Sequence, residues 1–283
     1  MKKALPKYFI LFPLLLLIIG SFTDLALSQA IYSPNNQVCL ILDYISEVPF
    51  ALIASFCGAG LFLTFNSSKK WKRIFWKTGY FAASLLFSLM AAFVPFYHSN
   101  NLNMLWISLC FILFFSLCFL AARYFSKTKP IDFKKACIVG FYSIIIILVV
   151  VTGIKFSWGR VRYRDLVDNL ALFTPWFKPM GITGHQSFPS GHSANTMILI
   201  WLSLLPSFIP KLKNKATLFG LIGFIFSILV MFSRIVVGAH FLTDTAMGAI
   251  ISMLIFYLVL EIVNRRYSSD TPCSTRDALN NKK

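Results

Sequence analysis

Charge is scarce in this chain of 283 residues: Asp, Glu, Lys and Arg make up only 13%, against 57% hydrophobic and 16% aromatic. That balance lies outside the range of soluble domains and marks an integral membrane protein. Acids are the scarcest, 10 against 27 basic residues, so the formal net charge is +17. In a soluble protein such an excess would suggest nucleic acid. Here the basic residues sit in short gaps between apolar runs, as cytoplasmic loops do, and nucleic acid is not an expected partner. The six cysteines (Cys39, Cys57, Cys110, Cys118, Cys137 and Cys273) form no CxxC pair, and four lie within apolar runs where Cys acts as a small hydrophobe. Neither a disulfide framework nor a metal site is expected, and no cofactor is implied. Internal repeats, low-complexity tracts and interdomain linkers are also lacking.

What the chain has instead is apolar length. Residues 8–27 follow Lys2, Lys3 and Lys7 and are long enough to cross a bilayer of roughly 30 Å at about 1.5 Å per residue. They are read as a retained helix; a signal peptide cleaved near Ala26 or Ala30 is the alternative. Further apolar segments at 48–66, 79–97, 103–122, 136–154, 193–209, 216–237 and 244–263 bring the expected number of spans to eight. The expected fold is therefore an all-α polytopic bundle. Its parts would be an N-terminal set of four spans (1–130), a catalytic core of four spans with a long loop at 155–192 (131–267), and a disordered cytoplasmic tail (268–283).

Alternate loops carry the positive charge. The N-terminus, the 67–78 loop, the 123–135 loop, the 210–215 loop and the tail hold three, five, five, three and five Lys or Arg, 21 of the 27. By the positive-inside rule that side is the cytoplasm, which places both termini inside and the 155–192 loop outside a cell membrane. The other six, Lys155, Arg160, Arg162, Arg164, Lys178 and Arg234, fall on the opposite side. A basic excess there needs a local reason, and an anionic ligand supplies one.

Three polar clusters interrupt the C-terminal half: Lys155 to Arg162, Pro189-Ser-Gly-His192, and Ser233-Arg234 with His240 and Asp244. Removing a phosphate from an ester requires cations for its oxygens, an in-line nucleophile and an acid for the leaving group. Lys155, Arg162 and Arg234 supply the charge, and the planar fork of arginine matches phosphate oxygens. Ser190 offers a hydroxyl, Gly191 permits close backbone approach, and a helix beginning near Ser193 would point its positive end at the anion. His240 and Asp244, four apart, would share a helix face, so the carboxylate can hold one ring nitrogen protonated and leave the other free as nucleophile. His192 is left as general acid and base.

These residues resemble the type 2 phosphatidic acid phosphatase superfamily, whose pattern is Lys-x6-Arg-Pro, Pro-Ser-Gly-His and Ser-Arg-x5-His-x3-Asp. Every fixed position of the second and third motifs is met; the first departs once, with Tyr163 in place of Pro, which removes a restraint on Arg162. The resemblance implies a phosphohistidine on His240 and proton donation by His192. Vanadium-dependent haloperoxidases share the pattern, but they are soluble enzymes, which eight spans argue against.

The function expected is a metal-independent membrane lipid phosphatase. Its substrate would be a headgroup-level phosphate or diphosphate, such as undecaprenyl diphosphate, phosphatidylglycerol phosphate, phosphatidic acid or a lipid A phosphate. A lipid-to-lipid phosphotransferase and a non-catalytic lipid-phosphate transporter are the alternatives. The bilayer and the substrate are the expected partners; no obligate protein partner is indicated. Asp24 is read as a solvated, snorkelling side chain, His98 and His185 as interfacial residues, and Lys178 as surface. For Arg160 and Arg164, headgroup or supporting contacts and solvated charge stay open.

Overall fold

The computed structural model describes residues 6–99 and 102–269. Among these the fold is all helical. A short 3-10 turn (Lys7–Ile10) leads into α1 (Leu11–Ile31), followed by α2 (Gln37–Thr64), α3 (Lys70–His98), α4 (Met104–Thr128) and α5 (Pro130–Trp158). After the long loop come α6 (Gly191–Met197), a 3-10 stretch (Ile198–Leu204), α7 (Leu205–Phe208), α8 (Ala216–Val236) and α9 (Leu242–Ser269). The local sequence explains the boundaries. Asn36 caps α2 by accepting from the Cys39 amide at 3.1 Å, and Asn103 caps α4 through the amides of Leu105 and Trp106. Pro130 opens α5, where its missing N–H costs nothing, and Gly159 ends it in the left-handed conformation at φ 66°.

The expected polytopic bundle is what the chain forms, with one difference in the spans. Seven described helices are long and apolar enough to cross a membrane. The eighth expected span, 193–209, is a broken helix in which α6, the 3-10 stretch and α7 run end to end. Nearly all of its residues from Ser193 to Leu204 are buried within the bundle. It contains Ser193, Asn195, Thr196 and Ser203, and its polar content is tolerated because it faces protein and not lipid. Several helices also begin earlier than their apolar runs. α2 starts at Gln37 and not at 48, which brings Asp43 and Glu47 into a helix that hydropathy alone placed in a loop. The part of the tail from 270 on lies outside the described residues.

Lipid-facing surface and packed core separate cleanly. α4 exposes Leu105, Leu109, Ile112, Leu113, Leu117 and Leu120, an apolar face that a water-soluble protein would not present. Glycines allow close helix contacts at three positions. A Cβ on Gly58 would stand 3.1 Å from the Tyr80 carbonyl of α3, one on Gly60 would overlap Cys137 of α5, and one on Gly223 would overlap the Leu199 carbonyl. Beside Gly58, Ser55 meets Ser84 at 3.1 Å and Ser88 at 2.7 Å, tying α2 to α3 by buried hydroxyls.

The loop between α5 and α6 is ordered by its aromatics. Trp158 packs on Phe188 at 4.7 Å and donates its indole N–H to the Trp176 carbonyl at 2.8 Å. Trp176 stacks on Phe188 and donates to Ser21 of α1. The loop is thus pinned to α1 and to the end of α5.

Glycine replacement tests the packing directly. Gly223→Ala sets a methyl against a backbone carbonyl and should cost about 1–3 kcal/mol, read as a lower melting temperature in detergent. Gly79→Ala, with nothing within 4 Å of its Cβ, should leave the melting temperature unchanged or raise it.

Candidate active site

Lys155 is placed on the last turn of α5, where its ammonium donates to the Gln186 carbonyl at 2.9 Å. Its Cε lies 3.4 Å from the position a Cβ on Gly191 would take, so the stem lies along the open face of that glycine. Arg162 follows the α5 cap in an extended conformation, φ −77° and ψ 151°. This is the conformation that a following proline would have favoured, so Tyr163 has not displaced the arginine. Tyr163 is instead a buried packing residue between Tyr32 and Phe241.

Ser190 is the N-cap of α6, its hydroxyl oxygen accepting from the Ser193 amide at 3.3 Å and the Ser193 hydroxyl at 2.9 Å. Its own amide donates to the Asp244 carbonyl at 2.9 Å, which fastens the second cluster to the third. Gly248 permits that approach, since a Cβ there would overlap the Ser190 carbonyl. The helix begins at Gly191, two residues earlier than expected.

His240 is not on the face of α9. It lies in the turn that joins α8 to α9, where Gly238 takes φ 67° and the amides of Ala239 and His240 both return to the Arg234 carbonyl. This turn, and not helical spacing, brings His240 beside Asp244. The proton on His240 Nδ1 goes to the Ser187 carbonyl at 2.7 Å, and a carbonyl can only accept, so Nε2 carries the free lone pair. Asp244 stands 3.9 Å from Nδ1, beyond hydrogen-bond reach. It acts on the ring through Ser187, whose hydroxyl donates to Asp244 Oδ2 at 2.6 Å, and through its charge.

Asp244 is wholly buried and its oxygens are fully engaged. Oδ2 also accepts from the Phe241 amide at 2.9 Å, and Oδ1 accepts from Arg160 at 2.5 Å. Arg160 is 1% exposed, which rules out solvated charge, and its other fork nitrogen donates to Asp24 at 2.9 Å. Asp24 is 4% exposed and does not snorkel to solvent.

Arg234 lies at the end of α8 and is also buried. It pairs with Asp43 of α2, whose Oδ1 is 3.2 Å from His192 Nε2 and whose Oδ2 is 3.9 Å from His98. His98 packs edge-on against His192 at 5.8 Å, so it stands at the site and not at a simple interface. Glu47, one turn from Asp43, accepts from Asn195 at 2.8 Å. Arg164, Lys178 and His185 are exposed at the loop surface.

All eight residues singled out for the site therefore gather around the start of α6 and the α8–α9 turn. Asp24, Asp43, Arg160 and Ser187 were not assigned to it from sequence. Two carried a signal: Asp24 is the acid inside the first span, and Asp43 and Glu47 have the i,i+4 spacing of one helix face. Ser187 meets the ring through its carbonyl, which no residue type announces, and Asp244 through its hydroxyl. Among the described residues, no group of three His, Cys, Asp or Glu has metal-holding geometry.

Residues 135–268 match the model of the PAP2 superfamily. This segment belongs to that superfamily. It contains all three polar clusters, whereas Asp24 and Asp43 lie outside it. Over 106 residues the chain is 30% identical to phosphatidylglycerophosphatase B of Bacillus subtilis, 37% of this chain and 52% of the relative. The chain thus spans about half the length of that curated protein. No solved structure matches. With its apolar helices, the chain is a multi-pass membrane protein.

The two histidines differ from free imidazole. Burial pushes His240 down to about 3, with Lys155 and Arg234 acting in the same direction and Asp244 opposing them. Burial also holds His192 well below the ordinary value, and the charge of Arg234 adds to the effect. Folded His240 therefore stays neutral where an unfolded imidazole, near 6.5, takes up a proton, so it lowers stability as pH falls from about 6.5 towards 3. His240→Gln removes that uptake. Its loss of thermal stability between pH 7.5 and 5 should be smaller than the wild type's by on the order of 2 kcal/mol. Equal losses would contradict a buried neutral ring.

Proposed function

We propose that this protein is a membrane-bound phosphatase that removes phosphate from the phosphomonoester or diphosphate headgroup of a membrane lipid. The observation that carries the reading is His240: its Nδ1 proton is committed to the Ser187 carbonyl, which leaves Nε2 free, and the charges of Lys155 and Arg234 act on the same ring. In the first step Nε2 attacks phosphorus, an N–P bond forms and the bond to the lipid oxygen breaks. His192 gives its proton to that oxygen. In the second step His192 takes a proton from water, whose oxygen attacks phosphorus, and the N–P bond breaks to release phosphate and restore His240.

Lys155, Arg162 and Arg234 hold the phosphate oxygens, with the amides at the start of α6 and the Ser190 turn beneath them. Asp43 occupies Arg234 in the free protein, and a carboxylate on that fork supports an anion site there. The phosphate replaces it. His192 starts neutral and takes up a proton from solvent before it acts as acid; a bound phosphate dianion beside Nε2 raises its proton affinity and favours that uptake. Asp244, and Ser187 between it and the ring, stabilise the imidazolium that forms as phosphorus is attacked.

The reading extends to place. The site opens at the membrane–water interface on the extracytoplasmic side of a cell membrane, with both termini in the cytoplasm. The uneven distribution of Lys and Arg supports this orientation. Substrates reach the site at headgroup depth. Similarity to a protein named phosphatidylglycerophosphatase makes a phosphatidylglycerol phosphate the first lipid to test; undecaprenyl diphosphate, phosphatidic acid and a lipid A phosphate follow. A phosphotransferase would use the same histidines and differ in passing the phosphoryl group to a second lipid.

Purified protein in detergent with EDTA should release inorganic phosphate from at least one of these lipids, and vanadate should inhibit it. A phosphoryl group should be trapped on His240 by quenching without acid, and His240→Ala should abolish both. His192→Ala should lose orders of magnitude on the lipid but regain much of the loss on a nitrophenyl phosphate, whose oxygen leaves without a proton. Equal losses on both substrates would remove His192 from the role of acid, and phosphate appearing only on a second lipid would favour the transferase.

Orientation has its own check. In a background cleared of native cysteines, an impermeant thiol reagent applied to intact cells should label a cysteine placed at 170 and spare one placed at 130. The reverse pattern would invert the topology.

A further inference from the structure

A guanidinium with two carboxylates in a buried region is costly unless its charge is used, because well-packed apolar groups would join helices more cheaply. Arg160 holds that position. Its Nε donates to the Thr174 carbonyl at 2.9 Å, NH1 to the Thr243 hydroxyl at 2.9 Å and to Asp244 Oδ1, and NH2 to Asp24 Oδ2. The ring of Phe241 lies 4.2 Å beneath the fork and excludes water from that face. Arg160 therefore cannot turn towards a bound phosphate without giving up four hydrogen bonds.

Asp24 is held as closely. Oδ1 accepts from the Thr243 amide at 2.9 Å, and Oδ2 accepts from both Arg160 and the Thr243 hydroxyl. Each of these groups donates to it, which is the environment of an ionised carboxylate. Gly20, one turn earlier, lets α1 approach the start of α9: a Cβ there would stand 2.8 Å from the Thr243 methyl. The first helix is thus built to deliver this carboxylate.

The charge balance gives the contact a purpose. Asp244 paired with Arg160 alone would be a neutral pair, with little negative charge left to favour a cation on the nearby His240. A second carboxylate on the far nitrogen of the fork returns the trio to a net charge of −1 while keeping Asp244 fixed for Ser187 and Phe241. We propose that Asp24 and Arg160 are positioning residues for the phosphatase reaction, so that α1, outside the PAP2-matched segment, supplies part of the charge that makes His240 an effective nucleophile. This rests on the lipid phosphatase reading given above.

Asp24→Asn keeps the shape and removes the charge; Asp24→Glu keeps the charge and crowds Gly20 and Thr243. Both would be purified as the full chain in detergent, checked for a monodisperse peak and melting temperature, and assayed on the best lipid phosphate for kcat and KM. We expect D24N to lose at least about tenfold in kcat with KM within about threefold, and D24E to keep more kcat than D24N despite a lower melting temperature. Trapped phosphohistidine should form more slowly in D24N. A merely structural Asp24 would give the opposite order, with the isosteric Asn better than the bulkier Glu, and that result overturns the proposal. Should D24N fail to fold, Arg160→Lys retains a buried cation but cannot reach both carboxylates; kcat falling about tenfold or more with KM held supports the proposal, and wild-type kcat overturns it. Failure of the phosphatase reading is a separate outcome: wild-type protein releasing no phosphate, or H240A remaining active.

Discussion

Asp244 has no contact with solvent, so every demand of its charge must be met by the protein. The partners come from four parts of the chain. The segment after α5 gives Arg160, the end of the loop gives the Ser187 hydroxyl, the turn before α9 gives the Phe241 amide, and α1 gives Asp24 through Arg160. The carbonyl of the same residue receives the Ser190 amide. One buried residue thereby ties the three polar clusters together and fastens the loop between them. The loop aromatics then seal the connection to α1, with Trp176 reaching Ser21.

The cations sit under a looser constraint. Lys155 is held by one carbonyl, Arg162 is half-buried, and Arg234 rests on Asp43, a partner that another anion can replace. On the proposed reading, orienting charges stay fixed and binding charges stay available, and the two sets differ in how tightly they are held. Arg160 and Asp24 are locked by several donors and acceptors each. Burial sharpens the difference, since in a low dielectric an orienting charge acts strongly and a replaced partner is felt strongly too.

Much of this was legible in the sequence because it is local. Apolar runs located the helices, and three short clusters located the candidate site, since histidine, arginine and aspartate are rare beside spanning segments and seldom stand there without cause. The misses have physical reasons. Helix ends extend past the apolar run into the headgroup region, so α2 began eleven residues before its hydropathy did, hiding Asp43 and Glu47. Asp24 looked solvent-bound and Arg160 stayed open because hydropathy treats each charge as if it were alone. Paired across 136 residues of chain they can be buried, and no spacing rule reports such a pair. The His240–Asp244 relation was anticipated with the wrong geometry: four residues suggested a helix face, whereas Gly238 builds a turn and the Ser187 carbonyl takes the proton.

The division between the two halves of the chain follows from electroneutrality. The segment that matches the superfamily brings Lys155, Arg160, Arg162 and Arg234 to one place but only Asp244 as a buried acid against them. A cluster of that charge in an apolar surrounding would repel itself before any ligand arrived. The acids that offset it, Asp24 on α1 and Asp43 and Glu47 on α2, all lie in the N-terminal half, outside that segment. The first two helices are therefore part of the charge balance of the site, and packing them against α8 and α9 is the same act as assembling it.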